Sequence, residues 1–378
     1  MNNRYFQTTK PLNEQLEQLM LRMHTRVPAI ARISYAKYCQ ESDTLATYAD
    51  SEFDLWSELH HEQRLRKLNH LKETAHTAIP RIIDDLRQIT HCERVNLLTK
   101  KGYRSSAAIP CYHQRKLSGF IFLNAYETGA FDKKLLAYLE PYLEMVQFTV
   151  ESQCQVVEAI VKLAERVKTG AQLYGQDEYY HGRRMRLYTH IVAEALAERH
   201  QLDDEQVDAI SLFAQFHDIG KTQVAESTPC NSDPLSSSVT LMAQNYIDQG
   251  VKIMEEIVAS VGEPNHPSIQ LLNQIMRFQS ERLDGSGYPY GFHGDEIPLS
   301  ARMVAVASCF DSMTTDKHDR QALSVPSALL ELEKQVQRGK LDGECVNALR
   351  HRQEYLKQVI RKFPEPLRWG ICSNKYFQ

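Results

Sequence analysis

Phe216-His217-Asp218-Ile219-Gly220-Lys221 is the stretch on which the reading of this chain turns. An adjacent His and Asp near a helix end can place an imidazole nitrogen and a carboxylate oxygen on one metal ion, or on two bridged ions. Gly220 permits a sharp exit from the helix. Lys221 adds a cation that can meet a phosphate. A His-Asp pair alone says nothing, but followed by Ile-Gly-Lys and preceded by an apolar helix it is fairly specific. Helical patterning extends on both sides, over Arg183–Arg199, Asp204–Phe216, Ser236–Ser260, Pro267–Phe278, Ala301–Met313 and Val325–Gln337. Asp203 and Asp204 offer carboxylates at one helix start, and the Ser300 hydroxyl is placed to cap the helix that contains Arg302. The breaker cluster Lys362-Phe363-Pro364-Glu365-Pro366 ends the pattern.

A second motif is Glu281-Arg282-Leu283-Asp284-Gly285-Ser286-Gly287-Tyr288-Pro289, followed by Ile297-Pro298-Leu299-Ser300-Ala301-Arg302. Its glycines and proline fix a tight loop that presents Tyr288. The Tyr288 ring can stack on a base or pack in a core, and both readings stay open on the loop alone.

The chain has 378 residues, with 44 Lys+Arg against 48 Asp+Glu and a formal net charge of −4. Apolar residues make up 42% and charged residues 24%, the balance of a globular protein and not of a disordered one. At roughly 150 residues per domain, two or three domains are expected. Near-neutral charge argues against a nucleic-acid polymer as partner. No apolar run is long enough for a membrane helix, and the first residues lack the apolar core of a signal peptide. The eight cysteines show neither a C-x-x-C pair nor zinc-like spacing, so reduced thiols in a cytoplasmic protein are expected.

Upstream, the pattern mixes strands and helices. Arg32–Tyr38, Thr44–Tyr48, Arg94–Leu98, Tyr103–Ile109 and Ser118–Leu123 read as strands. His61–Ile83, with Leu65, Leu68, Leu71 and Ala75, reads as a helix, as does Phe131–Val150. Helical spacing then continues through Val156, Ile160, Leu163 and Val167, as a rigid connector or a homodimer seam. The strand pair around Ile33–Tyr48, then Ala107-Ala108-Ile109-Pro110, Leu117–Asn124 and Phe131-Asp132 resemble a GAF sensor domain. No Cys or His there has a chromophore or haem context.

Taken in order and spacing, the His217-Asp218 and Gly287-Tyr288-Pro289 motifs resemble the HD-GYP family, a subgroup of the HD metal-dependent phosphohydrolases. The resemblance implies an all-helical domain that hydrolyses cyclic dinucleotides, chiefly cyclic di-GMP and in some members 3′,3′-cyclic GMP-AMP. It implies a cluster of two or three iron or manganese ions, often behind an N-terminal sensor such as GAF. Carried over, His181 matches the first family histidine, with Arg184 one turn on, and Asp177 stands where some members have an acidic ligand. His217, Asp218 and Lys221 match the signature, and Tyr288 the Gly-Tyr-Pro tyrosine. Lys317 and Arg320 stand where family members meet phosphate.

Four ligand positions depart from the family. Tyr246, Gln279 and Ser280 replace histidines, and Ser308 replaces an aspartate. A tyrosine hydroxyl titrates near ~10, and amide or hydroxyl oxygens are neutral, weak donors. A binuclear centre activates water and neutralises phosphate charge, and little drives hydrolysis without it. The expected architecture is a GAF-like α+β domain over 1–148, a helical connector over 149–174, an HD-GYP-like all-α domain over 175–365 and a tail over 366–378. The leading expectation is a regulator that is inactive or very weak as an enzyme and binds a cyclic dinucleotide, a signalling protein, or both. It would hold no cofactor, or one weakly bound iron or manganese ion on His181, His217, Asp218 and Asp177. Tyr288, Lys317, Arg320 and Lys221 would line the ligand. The alternatives are an active phosphodiesterase with a reduced metal site, in which Lys221 would be catalytic, and a pure interaction scaffold.

Overall fold

The structure is a computed structural model that describes residues 10–40, 43–52, 63–64, 68–89, 92–171, 176–223, 237–316 and 320–364. The chain divides into two compact units. The first holds residues up to Ala159 together with Ala197–Val207 and Val261–Gln270, and the second holds Ile160–Leu196, Asp208–Ser260 and the chain from Leu271.

The first unit is α+β, as expected. Its described strands are β1 (Arg32–Cys39), β2 (Thr44–Asp50), β3 (Gln63–Arg64), β4 (Arg81–Ile83), β5 (Ser105–His113) and β6 (Lys116–Ala125). They form one antiparallel sheet in the order β3-β2-β1-β6-β5-β4. Two helices pack their apolar stripes on one sheet face, α1 (Leu12–Arg26) with Leu12, Leu16, Leu19 and Met23, and α4 (Lys133–Gly170) with Leu136, Leu139, Leu143 and Val146. Period-two alternation puts Ile33, Tyr35, Ile121 and Leu123 on that face. Against the other face, Leu68, Leu71 and Ala75 pack on Ala36, Leu45 and Phe120. There Arg32, fully buried, pairs with Asp50 and donates to Asn124 Oδ1 at 2.6 Å.

Three features differ from the sequence reading. Arg94–Leu98 is not a strand but part of helix α3 (Glu93–Lys100), because Val95 and Leu98 share a helical face that packs with Leu86 and Tyr103. Of the helix expected over His61–Ile83, the described residues form α2 (Asn69–Thr77), while Gln63–Arg64 is strand β3. Ala78 adopts φ 56°, Pro80 cannot continue a helix, and Arg81–Ile83 becomes β4; Leu65 lies outside the described residues. Helix α1 is absent from the sequence reading although its buried residues recur at helical spacing.

The remaining described α-helices are α5 (Gln176–His200), α6 (Asp204–Ala214), α7 (Ser237–Val261), α8 (Pro267–Phe278), α9 (Leu299–Thr314), α10 (Val325–Gln337), α11 (Gly343–Arg350) and α12 (Gln353–Lys362). The second unit is built from them and from α4 beyond Ile160, except that the end of α5 from Ala197, α6 up to Val207, Val261 of α7 and α8 up to Gln270 belong to the first. Asp203 Oδ1 accepts from Gln206 N at 2.8 Å at the start of α6. Ser300 does not cap α9, which begins after Pro298; its hydroxyl donates to Gln274 Oε1 at 2.8 Å. No helix among the described residues is long and apolar enough to cross a membrane.

Acidic groups at the start of α6 set a pH dependence. Glu205 is buried, and its Oε2 accepts from Leu12 N at 3.3 Å. Burial, then the neighbouring Asp203 charge, push its carboxyl from 4.5 up to about 7. Burial likewise pushes Asp203 up to about 6. Between those values the folded chain keeps protons that the unfolded chain has released, so stability falls as pH rises from about 4.5 to about 7. Thermal midpoints at about pH 5.5 and 7.5 should therefore fall more steeply in wild type than in Glu205→Gln. Equal slopes in the two proteins would contradict this.

Candidate metal site

Helix α5 supplies His181, and the turn that follows α6 supplies His217 and Asp218. The turn is anchored by Phe213, Phe216 and Ile219, all buried. Gly220 is required for space: a Cβ there would overlap the Tyr246 carbonyl oxygen and crowd Gly250 N on α7. One atom from each of His181, His217 and Asp218 lies within 4.8 Å of the others.

The imidazoles are oriented from behind. His217 Nδ1 donates to Ala214 O at 2.9 Å, which leaves Nε2 with its lone pair. Burial lowers the His217 pKa to about 3, so the ring is neutral at ordinary pH. His181 Nδ1 donates to Asp311 Oδ2 at 2.7 Å, and its Nε2 lies 3.7 Å from Asp218 Oδ2. Burial pushes His181 down, but the Asp311 hydrogen bond and the Asp218 and Asp311 charges outweigh it and raise the pKa. Asp311 also receives Arg184 Nε at 2.6 Å and Nη2 at 3.1 Å. Burial alone would raise the Asp311 carboxyl, yet these partners hold it below the usual carboxylate range.

Asp218 is 4% exposed and meets two ammonium groups. Lys168 Nζ is 3.4 Å from Oδ1, and Lys221 Nζ is 3.1 Å from Oδ2. Burial acts to raise this carboxyl, but Lys168, Lys221 and the two histidines hold it well below its ordinary value. The sequence reading passed over Lys168. Its signal was a lysine at the end of the four-spaced row Ile160, Ala164, Lys168, whose members are 0%, 0% and 5% exposed.

Where the resemblance expects replaced ligands, Tyr246, Gln279 and Ser280 make bonds of their own. Tyr246 OH meets Tyr288 OH at 3.1 Å, and burial with the neighbouring tyrosine pushes the Tyr246 hydroxyl up to about 12. Gln279 Nε2 donates to His217 O at 2.7 Å, and the Ser280 carbonyl accepts from Tyr288 N at 3.3 Å. Ser308 is half-buried on α9. Tyr288 is itself half-buried, in a loop closed by Glu281, whose carboxylate accepts from Tyr290 N at 2.7 Å and Phe292 N at 3.2 Å. Lys221 lies 5.9 Å from the Tyr246 ring centroid, so Lys221, Tyr246 and Tyr288 are contiguous. Arg320 is exposed and donates to the Ser312 carbonyl. The Asp177 side chain and Lys317 lie outside the described residues.

As a donor set, two neutral-capable imidazole nitrogens and one carboxylate suit a single divalent transition-metal ion. Asp311 and the Ala214 carbonyl supply the outer partners that such histidines need. Among the described residues the trio offers three donor atoms, while Tyr246, Gln279, Ser280 and Ser308 bring neutral oxygens or an amide nitrogen.

A family model described as HD domain matches residues 155–345. The cyclic di-GMP phosphodiesterase response regulator RpfG of Xanthomonas campestris is 35% identical over 173 residues, covering 46% of this chain and 43% of the relative. The 3′3′-cGAMP-specific phosphodiesterase 2 of Vibrio cholerae is 27% identical over 190 residues, covering 50% of this chain and 34% of the relative. A cyclic di-GMP phosphodiesterase of Thermotoga maritima is 29% identical over 168 residues, covering 44% and 43%. Each match spans less than half of the relative's own length. Among solved structures, the GAF domain/HD domain protein of Geobacter sulfurreducens aligns with a TM-score of 0.31 at 12% identity, covering 38% of this chain and 94% of that one. The GAF domain of a Bacillus halodurans two-component sensor histidine kinase gives a TM-score of 0.31 at 15% identity, covering 37% and 93%. The chain belongs to the HD domain family, and its relatives are cyclic-dinucleotide phosphodiesterases, as the His-Asp and Gly-Tyr-Pro motifs imply.

Asp311 is the residue on which the orientation of His181 depends. Asp311→Ala takes a carboxylate from both His181 and the buried Arg184, and should cost roughly 3 kcal/mol in chemical denaturation. A loss below about 1 kcal/mol would mean that other groups carry Arg184.

Proposed function

We propose that the helical unit is a cyclic-dinucleotide-responsive regulatory domain that has given up the multi-metal hydrolytic centre. The observation that supports this reading is the described donor cluster of His181, His217 and Asp218, beside neutral residues at the four positions where the resemblance expects further ligands. Lys221 is the cation best placed to meet a phosphate. Its side chain is 58% exposed while its ammonium group stays at Asp218, so it can turn outward. The Asp218 charge comes first among the causes that raise its pKa, so the group is cationic at all ordinary pH values. Tyr288, contiguous with Lys221 through Tyr246, would offer its ring to a base. Lys317 and Arg320 extend the cradle in this reading, Arg320 by leaving the Ser312 carbonyl. A single iron or manganese ion, where held, would sit on His181, His217 and Asp218 and neutralise phosphate charge. A signalling protein that reads the bound state completes the proposal.

A second reading, a phosphodiesterase working with one ion, is favoured by one observation: His217 is neutral and both imidazoles are tethered at Nδ1. Protein purified without chelator separates the two. Hydrolysis of cyclic di-GMP and 3′,3′-cyclic GMP-AMP under iron and manganese should be absent, while calorimetry should register binding of one of them. Tyr288→Ala and Lys221→Ala should each weaken that binding by about tenfold. Robust turnover abolished by His217→Ala would establish the second reading instead. Silence in both assays at high micromolar ligand would leave neither, and only the scaffold role.

A further inference from the structure

We propose that Lys168 is a built-in counter-ion that takes the place of a metal charge at Asp218 and keeps the His181–His217–Asp218 trio from holding a divalent ion tightly. The inference rests on the reading that this trio accommodates at most one ion.

Lysine is almost never fully buried unless it is paired. Lys168 is 5% exposed, on a row of α4 whose other members are Ile160 and Ala164. Its ammonium group donates to two acceptors, the Gln215 carbonyl at 3.1 Å and Asp218 Oδ1 at 3.4 Å. Gln215 lies just past the last residue of α6, where the terminal carbonyls and the helix dipole favour a cation.

The two lysines at Asp218 are not equivalent. The Lys221 side chain is 58% exposed and the Lys168 side chain 6%. An arriving cation can displace Lys221 into water, where its charge is solvated. The Lys168 side chain is 6% exposed, so withdrawing it from its acceptors would leave a buried ammonium group without them. A metal ion on Asp218 must therefore coexist with a fixed positive charge on the neighbouring oxygen of the same carboxylate. In a buried site that repulsion is only weakly screened. The neutral residues at 246, 279, 280 and 308 fit this arrangement, since no further anionic ligand is present there to offset the added charge.

The test uses the full chain and Mn(II) as the probe, with uptake read from the EPR signal of free Mn(II) and from metal content after dialysis. Lys168→Gln should bind one Mn(II) per chain at least about tenfold more tightly than wild type. Lys168→Arg keeps the charge and should stay near the wild-type value. Adding His217→Ala to Lys168→Gln should erase the gain. Lys168→Met is run alongside, because it keeps the length of the side chain and its packing on the α4 row where the amide does not fold. A merely structural role for Lys168, tying the turn after α6 to α4, would lower the thermal midpoint of the neutral variants with no gain in Mn(II) affinity, and would overturn the proposal. So would a wild-type chain that takes one Mn(II) as tightly as the neutral variants. Calorimetry with cyclic di-GMP and 3′,3′-cyclic GMP-AMP on the same samples separates the two levels. Nucleotide binding without a Mn(II) gain discards the role of Lys168 alone, and a Mn(II) gain without nucleotide binding discards the functional reading alone.

Discussion

A carboxylate that is 4% exposed cannot remain ionised without compensation, and Asp218 is in that position. Its compensation arrives from separate segments: Lys168 from α4, His181 from α5 and Lys221 from the short helical segment after the turn. Removing any one leaves the others closer to an unbalanced buried charge, which is why breaking such a cluster costs more than the cluster itself contributes. The geometry of the turn after α6 follows from the same demand. Gly220 must be bare for the backbone to approach the Tyr246 carbonyl, and that approach places Lys221 beside Asp218.

Asp311 repeats the device one helix away, accepting from Arg184 and His181. His181 thus stands between two carboxylates, with Nδ1 on Asp311 and Nε2 facing Asp218. The two carboxylates fix the ring of His181 from both sides. Where ligands were expected, Tyr246 bonds Tyr288 and Gln279 bonds the His217 carbonyl. These are hydrogen bonds between neutral groups, each stabilising by about 1 kcal/mol. They do not need a metal ion to be satisfied, and a metal ion would not strengthen them.

The helical unit was legible because its signals are periodic and local. His217 and Asp218 stood out as a motif, His181 was joined to them by the family resemblance, and α8 and α10 carry the bounds read from the sequence. What was not legible depends on tertiary context. Arg94–Leu98 is short and apolar enough for a strand, and only its packing against Leu86 and Tyr103 selects a helix. Ser300 has the residue type of a cap, but Gln274 supplies a better partner than the backbone. Lys168 was the costliest omission, since a charged residue in an amphipathic stretch is normally read as solvated. The row it shares with Ile160 and Ala164 was the only hint, and the acceptors that make it tolerable lie about fifty residues downstream.

The net charge of −4 offers an anionic ligand no long-range attraction, and beyond ~8 Å salt would screen it in any case. Any attraction must be local: two ammonium groups face the carboxylate of Asp218, Glu178 adds a negative charge that acts on Lys221, and Arg184 answers Asp311. The two ammonium groups are not equivalent. Lys168 is committed to Asp218 and the Gln215 carbonyl, whereas Lys221 reaches solvent. If Lys168 alone can satisfy Asp218, Lys221 is free to meet a phosphate without leaving an unpaired buried carboxylate behind. In a metal-loaded family site the ions would both satisfy the carboxylate and draw the phosphate. Here, on the reading proposed above, the first task falls to a buried lysine and the second to an exposed one, which favours holding a phosphodiester over cleaving it.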